Sequence, residues 1–286
     1  KMNGWRNLTM EYLRQRFPDT EFDFIERHAS ALPMAGDLGS RRDFYRAGDS
    51  LEHAFRQFRE TGKGRVAFVG GSITKMNGWR NLTMEYLRQR FPEAQYLGLD
   101  IAEGMVRFAR QDSDSHSHWL VADAEALPLA ADSVDLVFSS LAIQWCERPR
   151  HLFAELARVL RPGGSCVFTS LGPQTLRELR SAWASVDSHQ HVNRFLPGQV
   201  LVDAARSVQG IEVRLQTHNF EMHYERVRDL LNELKTLGAH NMNRERAAGL
   251  TSRRALQAML QSYEEFRRDG LLPATYEVLF GVMEKA

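Results

Sequence analysis

The stretch GRVAFVGGSITKMNGWRNLTMEYLRQRFPEAQYLGLD, residues 64–100, decides how the chain folds. Val66 to Val69 is a short apolar run ending in Gly70-Gly71, the pattern of a buried strand that enters a turn. From Asn77 to Arg90 the apolar residues Trp79, Leu82, Met84, Tyr86 and Leu87, with Phe91 beyond them, gather roughly on one helical face. Tyr96 to Ile101 is a second short apolar run, and Asp100 closes it. Strand, helix and strand in so short a length predict a βαβ unit, which requires a parallel sheet and a right-handed crossover.

The alternation continues downstream. Met105 to Arg110 reads as helix, Trp119 to Ala122 and Val134 to Ser139 as strands, and His151 to Leu160 as a helix stopped by Arg161-Pro162-Gly163-Gly164. Ser165 to Ser170 starts a fifth strand. The expected fold class is therefore α/β, a Rossmann-like doubly wound, mostly parallel sheet whose ligands sit beyond the carboxyl ends of its strands. Past Thr175 the pattern turns mostly helical, with Val227 to Leu237 and Ser252 to Arg268 amphipathic and strands expected near Glu212 to Gln216 and Tyr276 to Met283.

The same stretch carries a repeat. KMNGWRNLTMEYLRQRFP at residues 1–18 recurs letter for letter at 75–92. Solenoid repeats drift and come in longer series, so two perfect copies separated by unrelated sequence point to a recombined chain. One position in a sheet cannot hold both copies, so residues 1–26 are expected to be dispensable for the core. Residues 27–60 are rich in arginine and carry no functional signal.

Composition narrows the function classes. The 286 residues are 43% hydrophobic and 26% charged, an ordinary globular balance. Lysine plus arginine, 37, nearly cancels aspartate plus glutamate, 36, so no bulk charge favours nucleic acid or an anionic membrane. Cys146 and Cys166 have no partners at zinc spacing and read as buried small hydrophobes in a reducing compartment. A cytoplasmic protein without a metal site is the expectation; the pairs His116/His118 and His189/His191 lie in polar stretches without a completing ligand.

Residues 43–92, with GRVAFVGGSIT followed by MNGWRNLTMEYLRQRFP, resemble the opening strand, nucleophile loop and first helix of an SGNH-type esterase. That resemblance implies Ser72 as nucleophile. A serine nucleophile needs an oriented histidine base, and no aspartate in the chain is followed by histidine three positions later; the family's Gly-x-Asn-Asp block is absent too.

After Pro92 the character changes. Asp100 at a strand end can accept both hydroxyls of a ribose, or it can simply cap the following turn. Asp123, ending the next strand, can face an adenine amino group or close a turn. The runs GLDIAEGM, WLVADAEALPLAADSVDLVFSSLAIQWC and LFAELARVLRPGGSCVF, in this order, resemble successive motifs of class I S-adenosylmethionine (SAM) dependent methyltransferases. The later runs SLGPQTLRELRSAW, VDSHQHVNRF, LKTLGAHN, GLTSRRAL and LLPATYEVLFGV resemble the malonyl-acyl-carrier-protein O-methyltransferases of biotin synthesis. A methyltransferase-like assembly factor of respiratory complex I shares part of this tail.

The resemblance implies SAM as cofactor, acyl carrier protein bearing a malonyl thioester as partner, and Gly70, Gly71, Asp100, Ile101, Asp123, Ala124 and Ser139 as cofactor contacts. Methyl transfer from a sulfonium needs mainly positioning, so no catalytic triad is expected. For the substrate carboxylate an arginine fork is the natural partner: Arg194, with Arg158 or Arg161 as alternatives. The implied organisation is a foreign, helical segment at 1–61, a SAM-binding core at 62–174 whose residues 62–92 come from the other family, and a substrate-covering portion at 175–286. One element departs from the family: its acid followed by Gly-x-Gly-x-Gly is met here by Phe68, Gly70, Ser72 and Thr74. Loss of the acid and two glycines predicts weak SAM binding that leans on the adenosine half.

Overall fold

The computed structural model describes residues 56, 58, 60, 63–70, 87–89, 91–111, 117–236 and 252–286. The expectations for residues 1–26, Gly71, Ser72, Thr74 and His116 lie outside them.

Seven strands form one sheet: β1 (Arg65–Val69), β2 (Gln95–Asp100), β3 (Ser117–Val121), β4 (Val134–Ser140), β5 (Leu160–Leu171), β6 (Ile211–Tyr224) and β7 (Leu272–Lys285), in the order β3-β2-β1-β4-β5-β7-β6. The first five are parallel; β7 runs antiparallel to β5, and β6 antiparallel to β7. The βαβ expectation holds at its decisive point, because Val66 pairs with Tyr96 and Val69 with Leu99 in parallel register. Four of the five β1 residues and every β4 residue are buried, as central strands covered on both faces must be.

The helices are α1 (Glu103–Gln111), α2 (Pro149–Val159), α3 (Arg177–Ala184), α4 (Gly198–Arg206), α5 (Val227–Thr236) and α6 (Arg253–Tyr263), with short 3-10 turns at Ile143–Trp145 and Glu264–Phe266. On one face of the sheet Val66, Phe68, Tyr96 and Phe138 pack with Leu87, Phe91 and Val106. Leu87 and Phe91 come from the second copy of the repeat, so its end serves as part of the core, and the Tyr96 hydroxyl donates to the Phe91 carbonyl at 3.1 Å. On the other face Ala67, Val69, Val137 and Cys166 pack with α2 and α4 residues such as Phe153 and Leu201. A third cluster joins α3, α5 and α6 to the projecting ends of β6 and β7, through Trp183, Leu230, Tyr263 and Tyr276.

Two boundaries differ from the sequence reading. Arg161-Pro162-Gly163-Gly164 does not separate helix from strand: β5 already begins at Leu160, and the irregular register between Val134 and Leu136 absorbs the turn-like residues. The mostly helical tail contains the two longest strands, β6 and β7, which pair over fourteen positions and extend the sheet. β6 alternates exposed and buried residues, an edge-strand pattern that short apolar windows do not catch.

One buried charge pins the amino end of the sheet. Asp135 accepts from the Arg65 backbone N–H and from Arg161 Nη1, both at 2.7 Å, so its carboxylate is paired although only 1% exposed.

Candidate functional site

The carboxyl ends of β1, β2, β3 and β4 lie side by side, and those predicted cofactor contacts that lie among the described residues gather there. Gly70 leaves β1 and its N–H donates to the Leu99 carbonyl at 2.7 Å, which draws the start of the glycine loop onto β2. Asp100 ends β2 and is 2% exposed. Its Oδ1 accepts the Ala102 N–H at 2.8 Å, so the turn-capping role is real. Its Oδ2 is buried and receives no hydrogen bond among the described residues. A carboxylate oxygen in that state needs a donor, and a ligand hydroxyl is one.

Beside it stand two apolar side chains that the core does not take. Ile101 is 70% exposed, and Val121, the β3 residue in register with Asp100, is 49% exposed. A planar ring laid across them would cover both. Val121 was missed from sequence because its strand was read as ending at Ala122, one residue late, which placed Val121 inside it. Asp123 is exposed, and its Oδ1 accepts the Glu125 N–H at 2.8 Å, closing a turn while the rest of the carboxylate faces solvent. Ala124 is half-buried next to it.

Ser139 pairs with Val69 on β1, one residue before Gly70. It is 2% exposed and its Oγ has no partner among the described residues. The chain then turns sharply: Leu141 sits at φ 51°, with its N–H shared between the Thr169 carbonyl at 3.0 Å and Thr169 Oγ1 at 3.1 Å. A leucine held at positive φ is strain retained by its surroundings, the kind of outlier found where a loop must be aimed. It delivers Gln144 and Trp145 over the strand ends. No signal in the sequence marks it, because leucine does not announce that conformation.

Phe68, aligned with the family's acid, is 2% exposed with its ring 6.1 Å from that of Phe138. The residues thus fit SAM unevenly. Asp100 suits a ribose and the Ile101–Val121 shelf suits an adenine, whereas the position of the methionine-binding acid belongs to the hydrophobic core.

The arginine candidates separate cleanly. Arg158 is engaged by Glu155 through Nε and Nη2 and by the Leu127 and Leu129 carbonyls. Arg161 binds Asp135 and the Asp132 carbonyl at the amino end of the sheet, away from the site. Neither is available for a substrate. Arg194 is exposed and donates no hydrogen bond to a described residue. Its neighbour Phe195 packs edge-on against Trp145, ring centroids 6.3 Å apart, which sets Arg194 beside the turn after β4.

Among the described residues the remaining titratable groups do not form a nucleophilic centre. Burial, reinforced by the negative charges of Glu125 and Asp123, pushes the Cys146 thiol up to about 12, and burial alone does the same to Cys166. His191 stacks on Trp183 at 3.7 Å and bonds Asp187 Oδ1 at 2.9 Å, so it organises its own loop. No group of three or more metal-capable side chains occurs among the described residues. No described helix is long and apolar enough to cross a membrane.

Comparison with known proteins agrees with this geometry. Residues 79–168 match the family model described as a methyltransferase domain. The fold is that of the YcgJ protein of Bacillus subtilis, whose crystal structure superposes with a TM-score of 0.52 at 16% identity, covering 82% of this chain and 98% of that one. The fold and the strand-end site define a class I SAM-dependent methyltransferase.

Within that class the relatives are specific. The malonyl-[acyl-carrier protein] O-methyltransferase of Gallionella capsiferriformans is 43% identical over 211 residues, covering 68% of this chain and 70% of that protein. The biotin biosynthesis bifunctional protein BioHC of Cellvibrio japonicus is 47% identical over 193 residues, 67% of this chain, although the match spans only 38% of that longer protein. The chain belongs to the malonyl-[acyl-carrier protein] O-methyltransferase family.

Proposed function

We propose that the protein methylates the free carboxylate of a malonyl thioester carried on acyl carrier protein, a step of biotin synthesis, in a cytoplasmic setting. The observation that carries the reading is Asp100: a buried carboxylate with one satisfied and one unsatisfied oxygen, at the strand end where a ribose would lie. The names of the relatives favour this substrate over the complex I assembly factor, and an SGNH-type esterase would require an Asp-x-x-His base that the sequence lacks.

SAM supplies an electrophilic methyl group on a sulfonium. When bound, it would give up that methyl to a carboxylate oxygen of the substrate, the carbon–sulfur electron pair staying on sulfur, so that a methyl ester and S-adenosylhomocysteine would result. The chain's part is binding and exclusion of water. Asp100 would accept the ribose hydroxyls, Ile101 and Val121 would cover the adenine, and Asp123 with Ala124 would meet its edge. Gly70 and Ser139, with Gly71 by resemblance, would border the methionine half, and Arg194 would orient the acceptor carboxylate. No proton is transferred, so no acid or base is needed.

The test is to incubate the protein with SAM and either malonyl- or acetyl-acyl carrier protein, following S-adenosylhomocysteine release and the mass of the carrier. Gain of one methyl group by the malonyl carrier alone is the expected outcome. Release of S-adenosylhomocysteine at the same rate with the acetyl carrier, or with neither, would refute the substrate.

A further inference from the structure

The substrate end of the site holds a second guanidinium that nothing so far has used. Arg180 lies on α3, one helical turn before Trp183 and on the same helix face. Trp183 stacks on His191, and His191 is three residues before Arg194. The loop that bears Arg194 is therefore laid along the face of α3 that bears Arg180. Asp187 fixes that loop, accepting from the His189 N–H at 2.8 Å and bonding His191.

Arg180 is itself held at the carboxyl end of β5. Its Nη1 donates to the Pro173 carbonyl and its Nη2 to the Thr175 carbonyl, each at 2.9 Å. Both acceptors are neutral, and a guanidinium carries five donors, so the fork is fixed in place with its charge unpaired and donors left over. The acid whose charge acts on it, Glu178, is committed elsewhere: Thr275 donates to it through both N–H and hydroxyl, and Arg177 pairs with it at 3.1 Å. Burial, and after it the positive field of Arg194, lowers the proton affinity of Arg180, with Glu178 opposing. Two cations whose fields reach one another repel, and an oxyanion received by both relieves the repulsion.

We infer that Arg180 and Arg194 together form a two-arginine clamp for the terminal carboxylate of a short dicarboxylic acyl thioester, with the Trp183–His191 stack fixing their separation. This deepens the proposed function and rests on it for the identity of the acyl group. The clamp also gives a direction to the cycle: methylation removes the negative charge, so the ester loses both ion pairs and leaves more readily than the acid.

Calorimetric titration with malonyl-pantetheine and acetyl-pantetheine, which differ in the carboxylate, tests the clamp without requiring turnover. The parent is expected to bind the malonyl compound at least tenfold more tightly than the acetyl one. Arg180→Gln should abolish that preference while SAM affinity stays unchanged. In a double-mutant cycle with Arg194→Gln the two losses should be non-additive, because both side chains act on one carboxylate; additive losses would mark Arg180 as merely structural and overturn the inference. If Arg180→Gln does not fold, Arg180→Lys replaces it in the cycle, and retention of full parental affinity by that variant overturns the fork geometry. No preference for the malonyl compound in the parent overturns the clamp outright. Carboxylate-dependent binding without methyl transfer would instead leave the clamp standing and remove the proposed reaction, whereas normal methylation by Arg180→Gln would do the reverse.

Discussion

Replacing Asp100 by Asn should weaken cofactor binding without weakening the protein. Asp100 is 2% exposed, with Oδ1 bonded to the Ala102 N–H at 2.8 Å and Oδ2 buried without a donor. Asparagine keeps the first bond through its own Oδ1, so the turn survives. It removes a charge whose second oxygen is unsatisfied in the free protein, which leaves stability the same or slightly higher. A ligand hydroxyl bonded to a carboxylate gains about 1.5–3 kcal/mol against about 1 for a neutral acceptor, and the difference, about 0.5–2 kcal/mol, is a factor of roughly 2–30 in affinity. Calorimetry with SAM, S-adenosylhomocysteine and adenosine should show that weakening for all three, since all carry the ribose. A melting scan should show an unchanged or raised Tm. A SAM affinity within twofold of the parent, or a Tm lowered by more than about 4 °C, the scale of a loss of 1 kcal/mol or more, would refute the reasoning.

Phe68→Asp removes a buried ring packed against Phe138 and puts an unpaired carboxylate in its place; a destabilisation of about 3–5 kcal/mol should lower Tm by roughly 10 °C, and saturating SAM should narrow the gap if the acid meets the methionine ammonium. Thr275→Val takes the hydroxyl donor from Glu178 and loosens α3 from β7; the loss of one bond to a buried charge, about 1.5–3 kcal/mol, should be read as a lower midpoint in urea with an unchanged slope. Burial raises the proton affinity of Asp187, but the hydrogen bonds of His191 and of the His189 amide outweigh it, so the folded state holds its carboxyl below the ordinary value. A depressed carboxyl contributes stability above about pH 4 and loses it as pH falls; the Tm difference between parent and Asp187→Asn should be full at pH 7 and shrink progressively as pH falls below about 4, and a gap that does not shrink there would remove Asp187 as the anchor of the Arg194 loop.

The amino-acid sequence by itself determined the parallel half of the sheet and the line of residues along its edge. Short apolar runs closed by Gly70, Asp100 and Ser139 mark strand ends, and strand ends in an α/β sheet are where ligands generally sit, so the candidate site was legible wherever periodicity alone sets the strands. The tertiary structure decided what periodicity does not encode. Phe68 stands where an acid is expected, and only packing shows that its side chain serves the core and leaves the site without that charge. Arg158, Arg161, Arg180 and Arg194 are one residue type along the chain; folding pairs Arg158 and Arg161 with carboxylates, anchors Arg180 on two neutral carbonyls with donors to spare, and leaves Arg194 without a hydrogen bond to a described residue. The pairing of Arg180 with Arg194 depends on a ring stack between Trp183 and His191, and the aim of the β4 turn depends on a leucine held at positive φ. Contacts between residues far apart in the chain carry no spacing of their own, and for that reason the substrate end of the site emerged only with the fold.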